Sequence, residues 1–167
     1  MQLTELFLSE LEREAALSRR VLERVPEGKN DWQPHPKSMR LGYLAVLVAS
    51  MPGWIDLMIN QEELNFDSPG RNRPQEVGSN AALLGVLDSN LTKARAALSG
   101  TNDEHLMTPW RIRAAGRVVQ EQARHLFLRD AVFSHMAHHR GQLTVYLRLN
   151  NAAVPAIYGP SADESGF

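Results

Sequence analysis

Apolar residues recur at spacings of three and four along four stretches of this chain, and that rhythm predicts four long helices. The first, Thr4 to Val25, sets Leu3, Phe7, Leu11, Val21 and Leu22 on one side and Glu and Arg on the other, then closes at Pro26 and Gly28. Trp32, Pro34 and Pro36 make residues 29–37 a connector. Ser38 is the expected N-cap of a second helix with Leu44, Leu47, Met51, Trp54 and Met58 on its stripe. Pro52 and Gly53 interrupt that helix, but the apolar period resumes beyond them, which predicts a kink and not a stop. Residues 67–78, rich in Pro, Gly, Asn and Arg, read as a long crossover loop. A third helix, capped by Asn80, repeats Leu84, Leu87, Leu91, Ala94 and Leu98 until Gly100. Between Trp110 and Glu121, apolar and charged residues alternate around Ala115 and Gly116, as in a small β-hairpin. The fourth helix spans His125 to Leu149, and a tail follows in which Ser161 and Glu164 match a capping box with too little chain behind it to build a helix. The expected architecture is an all-α fold with a small β-hairpin before the last helix, in a single domain over residues 1–167.

The fourth helix carries the candidate chemistry. Leu128, Val132, His135, His139, Gln142, Tyr146 and Leu149 alternate spacings of four and three, which places them on one stripe. Its ends are apolar, so the stripe is expected to face the core with three polar groups in its middle. Burying each unpaired costs about 1–3 kcal/mol, so something must satisfy them. In one reading, two imidazoles at i and i+4 aim at a single Zn, Ni or Fe ion. In the other, they are neutral core groups bonded to each other, to Gln142, to Tyr146 or to water. A catalytic centre usually needs three protein ligands, so a third donor decides between them. His138 lies off the stripe by about 100°, and His125 precedes His135 by about 15 Å of helix axis.

Composition narrows the chemistry. The absence of cysteine removes disulfides, thiolate ligands and Cys nucleophiles. With 18 basic against 19 acidic residues, the chain has no electrostatic surface built for nucleic acid or anionic membrane. The arginines at 111, 113 and 117 read as a solvated hairpin face. The N-terminus lacks a signal-peptide pattern, and no apolar run approaches the roughly 20 residues of a spanning helix, so a cytoplasmic protein is expected. No His-Glu-x-x-His motif, phosphate loop or nucleophilic triad is evident.

The segments FSHMAHHRGQLTVYLR at 133–148, VPAIYGPSADE at 154–164, PHPKSMRLGYLA at 34–45 and MPGW at 51–54 together resemble the DinB-like family in sequence and order. The resemblance covers nearly the whole chain. It implies a four-helix bundle of up-down-down-up topology with a long crossover, often a homodimer, and a divalent metal held by three histidines. Two of these match His135 and His139, and the third falls in a second-helix segment of the form LGxLAxHxA. Here that segment reads LGYLAVLVA, with Leu47 at the ligand position. The expectation is therefore a degenerate metal site with weak or absent occupancy, with Leu47, Gln142, Tyr146, Tyr158 and Asp163 as pocket candidates. Members of the wider family include metal-dependent thiol S-transferases, so a low-molecular-weight thiol or other small molecule is one expected partner. A non-catalytic stress-response module or dimeric scaffold is the other reading.

Overall fold

The computed structural model describes residues 2–68 and 75–165. Its helices are α1 (Leu3–Leu22), α2 (Leu41–Ser50), α3 (Trp54–Asn60), α4 (Asn80–Ser99), α5 (Asp103–Met107), α6 (Arg124–Phe127) and α7 (His135–Leu149). The strands are β1 (Glu63–Asn65), β2 (Pro109–Ala114) and β3 (Arg117–Ala123). The fold is mostly helical with one small sheet. Helix α1 packs on α4 and α7, and α2 packs on the same two helices. Phe7, Leu11, Leu44, Val48, Leu87, Leu91, Leu143 and Leu147 meet in one core.

Several expected boundaries move. Helix α2 begins at Leu41 behind Arg40, not behind Ser38, because Leu41 N–H bonds Trp32 C=O at 2.8 Å and the connector docks there. Ser79, not Asn80, caps α4 by accepting from Ala82 N–H at 3.2 Å, while the Asn80 side chain donates to Glu23 C=O. The kink holds: Met51–Gly53 form one 3₁₀ turn between α2 and α3. A Cβ on Gly53 would stand 2.1 Å from Asn90 Oδ1, so glycine is what lets α4 approach this turn. The stretch Leu41–Asn60 is in fact long and apolar enough to cross a membrane by length and composition, which the interrupted sequence pattern hid. Most of it is buried as the central helix of the fold. Of the expected crossover loop at 67–78, residues 69–74 lie outside the described residues.

The hairpin forms with one strand more than expected. β2 and β3 pair antiparallel, and β1 joins β2 in parallel, with Glu63 opposite Arg111. Three residues are too short for a periodic signal, so β1 escapes a sequence reading. Ala115 and Gly116 turn the hairpin at φ 51° and 71°, the left-handed pair of a type I′ turn. Asp67 accepts both of their backbone N–H groups, at 3.0 and 2.8 Å, which holds its carboxyl below the usual range. Of the hairpin arginines, Arg111 pairs with Glu121 and Arg113 with Glu63.

Long polar side chains tie the elements together. Asp103 at the start of α5 accepts from Leu3 and Thr4 N–H and so caps α1 from a distant part of the chain. Arg124 is buried at 1% exposure and donates to Met58 and Gln61 C=O, satisfying carbonyls that the end of α3 leaves open. Arg140 on α7, also 1% exposed, donates to Glu14 Oε2 at 2.6 Å, Glu14 C=O at 3.0 Å and Ser18 Oγ at 3.1 Å on α1. The tail closes over this pair, with Tyr158 O–H bonded to Glu14 Oε2 at 2.6 Å and Arg140 lying over the Tyr158 ring. Beyond it, Glu164 pairs with Arg20 and Arg24 on α1. Truncating Glu14 strands a buried guanidinium, so Glu14→Ala should lower the unfolding free energy by about 3–5 kcal/mol in urea titrations. Glu14→Leu with Arg140→Met should recover most of that loss.

Candidate functional site

The last helix is not α-helical throughout. Leu128–Ser134 form a π-helical stretch between α6 and α7, in which i to i+5 bonding adds a residue to the turn. The buried face continues through Met136, His139, Arg140, Leu143, Tyr146 and Leu147. Leu149, expected at the stripe's inner end, is 55% exposed, and Gln142 is exposed. His135 and His139 share one edge of the buried face: His139 is buried at 5% exposure and His135 is half-buried.

At that edge the two imidazoles meet. His135 Nε2 and His139 Nε2 are 2.8 Å apart, and His139 Nδ1 lies 2.7 Å from Gln142 Oε1. Because Gln142 Oε1 only accepts, His139 carries its proton on Nδ1 and presents a bare Nε2. The 2.8 Å contact is then a hydrogen bond donated by His135 Nε2–H. Burial pushes the His139 pKa down; the Gln142 bond opposes this, and the neighbouring His135 and His138 reinforce it. Trp54, just past the α2–α3 turn, lies against His135 with ring centroids 5.7 Å apart, and His138 sets its ring edge-to-face on His139 at 5.0 Å. Neither contact was legible in the stripe, because Trp54 comes from another helix and His138 lies 100° around its own.

The other candidates are used elsewhere. Leu47 is buried in the core of α2, which packs on α7. Tyr146 donates to Met39 C=O at 3.2 Å and meets Trp32 edge-to-face. Tyr158 belongs to the Glu14–Arg140 network. Asp163 pairs with Arg148 and accepts Val154 N–H at 2.8 Å, which together hold its carboxyl below the usual range. The Ser161 hydroxyl accepts from Asp163 and Glu164 N–H, so the capping-box pattern closes a turn without a helix.

These donors do not fit a three-ligand metal centre. Two nitrogens each about 2.05 Å from a tetrahedral ion stand roughly 3.3 Å apart with both lone pairs turned inward. Here they are 2.8 Å apart, a hydrogen-bonding distance. No third His, Asp or Glu joins them among the described residues, and Leu47 has no lone pair to offer. One half of the pair does match a ligand's arrangement: the Gln142 carbonyl oxygen, accepting from Nδ1–H, fixes His139 with Nε2 bare.

A histidine whose folded pKa is depressed opposes folding once the unfolded chain begins to bind its proton. Stability from His139 is therefore complete above its unfolded pKa of about 6.5 and falls as pH drops below that. Thermal melts should show the midpoint declining between pH 7.5 and 5.5, before carboxylates titrate. His139→Gln should flatten that slope, and an unchanged slope would show that the buried imidazole is not its source.

The sequence matches the DinB family over residues 1–166. It is 27% identical over 161 residues to the Bacillus subtilis protein YrdA, covering 95% of this chain and 89% of that one. In fold it resembles the crystal structure of a DinB-like protein from Bacillus cereus, at TM-score 0.71 and 23% identity over 92% of this chain and 97% of that chain. It also resembles the DinB-like protein YjoA of Bacillus subtilis, at TM-score 0.68 and 20% identity over 97% and 99% of the two chains. With the helical fold, the ordered motifs and a family match spanning nearly every residue, this chain belongs to the DinB family.

Proposed function

We propose that this protein is a DinB-family member with a degenerate metal site, its imidazole pair completed by protein hydrogen bonds and its fold serving as a non-catalytic binding module. The Nε2 to Nε2 separation of 2.8 Å carries this reading, because it is a hydrogen-bonding distance and falls short of the roughly 3.3 Å between two nitrogens that ligate one tetrahedral ion. Leu47 supports it from the facing helix, where its side chain packs as core and supplies no donor. The reading includes a four-helix, up-down-down-up bundle, supported by the packing of α1 and α2 each against α4 and α7. It also includes a cytoplasmic homodimer in stress response whose partners are small molecules, and the near-balanced charge fits the absence of a nucleic-acid partner.

One observation favours a second reading. Gln142 already holds His139 in a ligand's tautomer. On that basis Zn, Ni or Fe on His135 and His139 would support a thiol S-transferase or hydrolase-like activity with a low-molecular-weight thiol.

The two readings separate in a metal titration. After loading with Zn or Ni and desalting, the chain should retain less than about one tenth of an equivalent, whereas Leu47→His should retain close to one. Near-stoichiometric metal on the unaltered chain would overturn the first reading. Turnover of a thiol with an electrophile by that loaded protein would then establish the second.

A further inference from the structure

An open groove of about 550 Å³ runs between α1 and the α6–π segment. One end is apolar: Leu3, Leu6 and Phe7 line it from α1 and Leu126 from α6, with Leu6 39% and Leu126 43% exposed. Its floor is firm, because Phe7 stacks flat on Phe133 at 5.6 Å. The other end is charged, with Glu10, Arg13 and Arg129. Leu3 and Arg13 are ten residues apart on one helix, so the groove changes from greasy to basic over about 15 Å.

The balance of charge at that end indicates what fits it. Glu10 is spent on Arg129. Arg13 reaches only Glu14 Oε1, at 3.5 Å, and that carboxylate already serves Arg140 and Tyr158. Arg13 is thus a solvent-facing guanidinium, 68% exposed, at the mouth of an apolar trough, held only through Nε by one 3.5 Å contact to Glu14 Oε1, so its two terminal nitrogens face the groove's opening to solvent. A guanidinium fork matches a carboxylate. Separately, Leu128–Ser134 is π-helical over seven residues, a rare conformation that recurs at functional sites, and it is this stretch that delivers Arg129 to the groove.

We infer that this groove binds an anionic amphiphile, a molecule with a straight apolar chain and a carboxylate head, the chain lying on Leu6 and Leu126 and the head on Arg13. The site is independent of the histidine pair, which lies on α7 beyond the groove's lining.

Decanoate, used below its critical micelle concentration and followed by NMR or calorimetry, is the probe. Saturable one-to-one binding is expected on the full chain, with shifts confined to α1 and residues 125–133. Arg13→Gln should weaken decanoate at least tenfold while leaving 1-decanol unaffected, and Leu6→Gln should weaken both. Matching melting temperatures would show that each variant folds. Absence of saturation, or equal affinity of Arg13→Gln for decanoate, would overturn the inference. So would a stable dimer in light scattering that Leu6→Gln dissociates and decanoate does not, because a second copy would then occupy the groove.

Discussion

The contact on which most of the structure leans is the buried pair of Arg140 and Glu14. Two charges taken out of water lose several kcal/mol of solvation each, and they recover it only if nearly every donor and acceptor is matched. Here the matching is close to complete: the guanidinium meets the Glu14 carboxylate, the Glu14 carbonyl, the Ser18 hydroxyl and the Tyr158 phenol. Those partners belong to α1 and the C-terminal tail and Arg140 itself to α7, so satisfying one charge aligns three parts of the chain. Apolar packing alone tolerates sliding between helices, whereas a guanidinium with fixed donor directions does not.

The same constraint recurs at smaller scale. Arg124 satisfies the open carbonyls at the end of α3, and Asp103 satisfies the open amides at the start of α1. Asp67 holds the hairpin turn. In each case a helix end or turn that could not satisfy its own backbone borrows a side chain from a remote segment. The tail, which has no helix, is held by Glu164 and Asp163 against arginines of α1 and α7.

The histidines sit one and five residues before Arg140, on a backbone that the ion pair already orients. Within that frame His139 is buried and kept neutral, His135 donates to it, and Gln142 accepts from it. The buried imidazole of His139, costly if unpaired, thus has a partner on each nitrogen, the half-buried His135 and the exposed Gln142. The two arginines at the outer groove are placed by different means, Arg13 by α1 and Arg129 by the π segment, which is why charge can gather there without the core being involved.

Much of this was legible in the sequence, because local periodicity is a local property. The four long helical stretches, the kink at Pro52 and Gly53, the hairpin turn at Ala115 and Gly116, and the one-turn separation of His135 and His139 follow from spacing and from glycine and proline chemistry. The mismatch between Leu47 and the family's histidine pattern was equally readable. What spacing could not supply was which edge of the last helix is buried: Met136, Leu143 and Leu147 face the core, while Gln142 and Leu149 face solvent. Nor could it supply the caps, β1 or the partners of Tyr158 and Asp163, which depend on residues 9 to 144 positions away. The sequence by itself determined where the four long helical stretches lie and which side chains could do chemistry. Only the tertiary structure decided which of those side chains meet, because buried charges and hydrogen-bonding groups find partners by proximity in space, and that proximity exists only after the helices have packed.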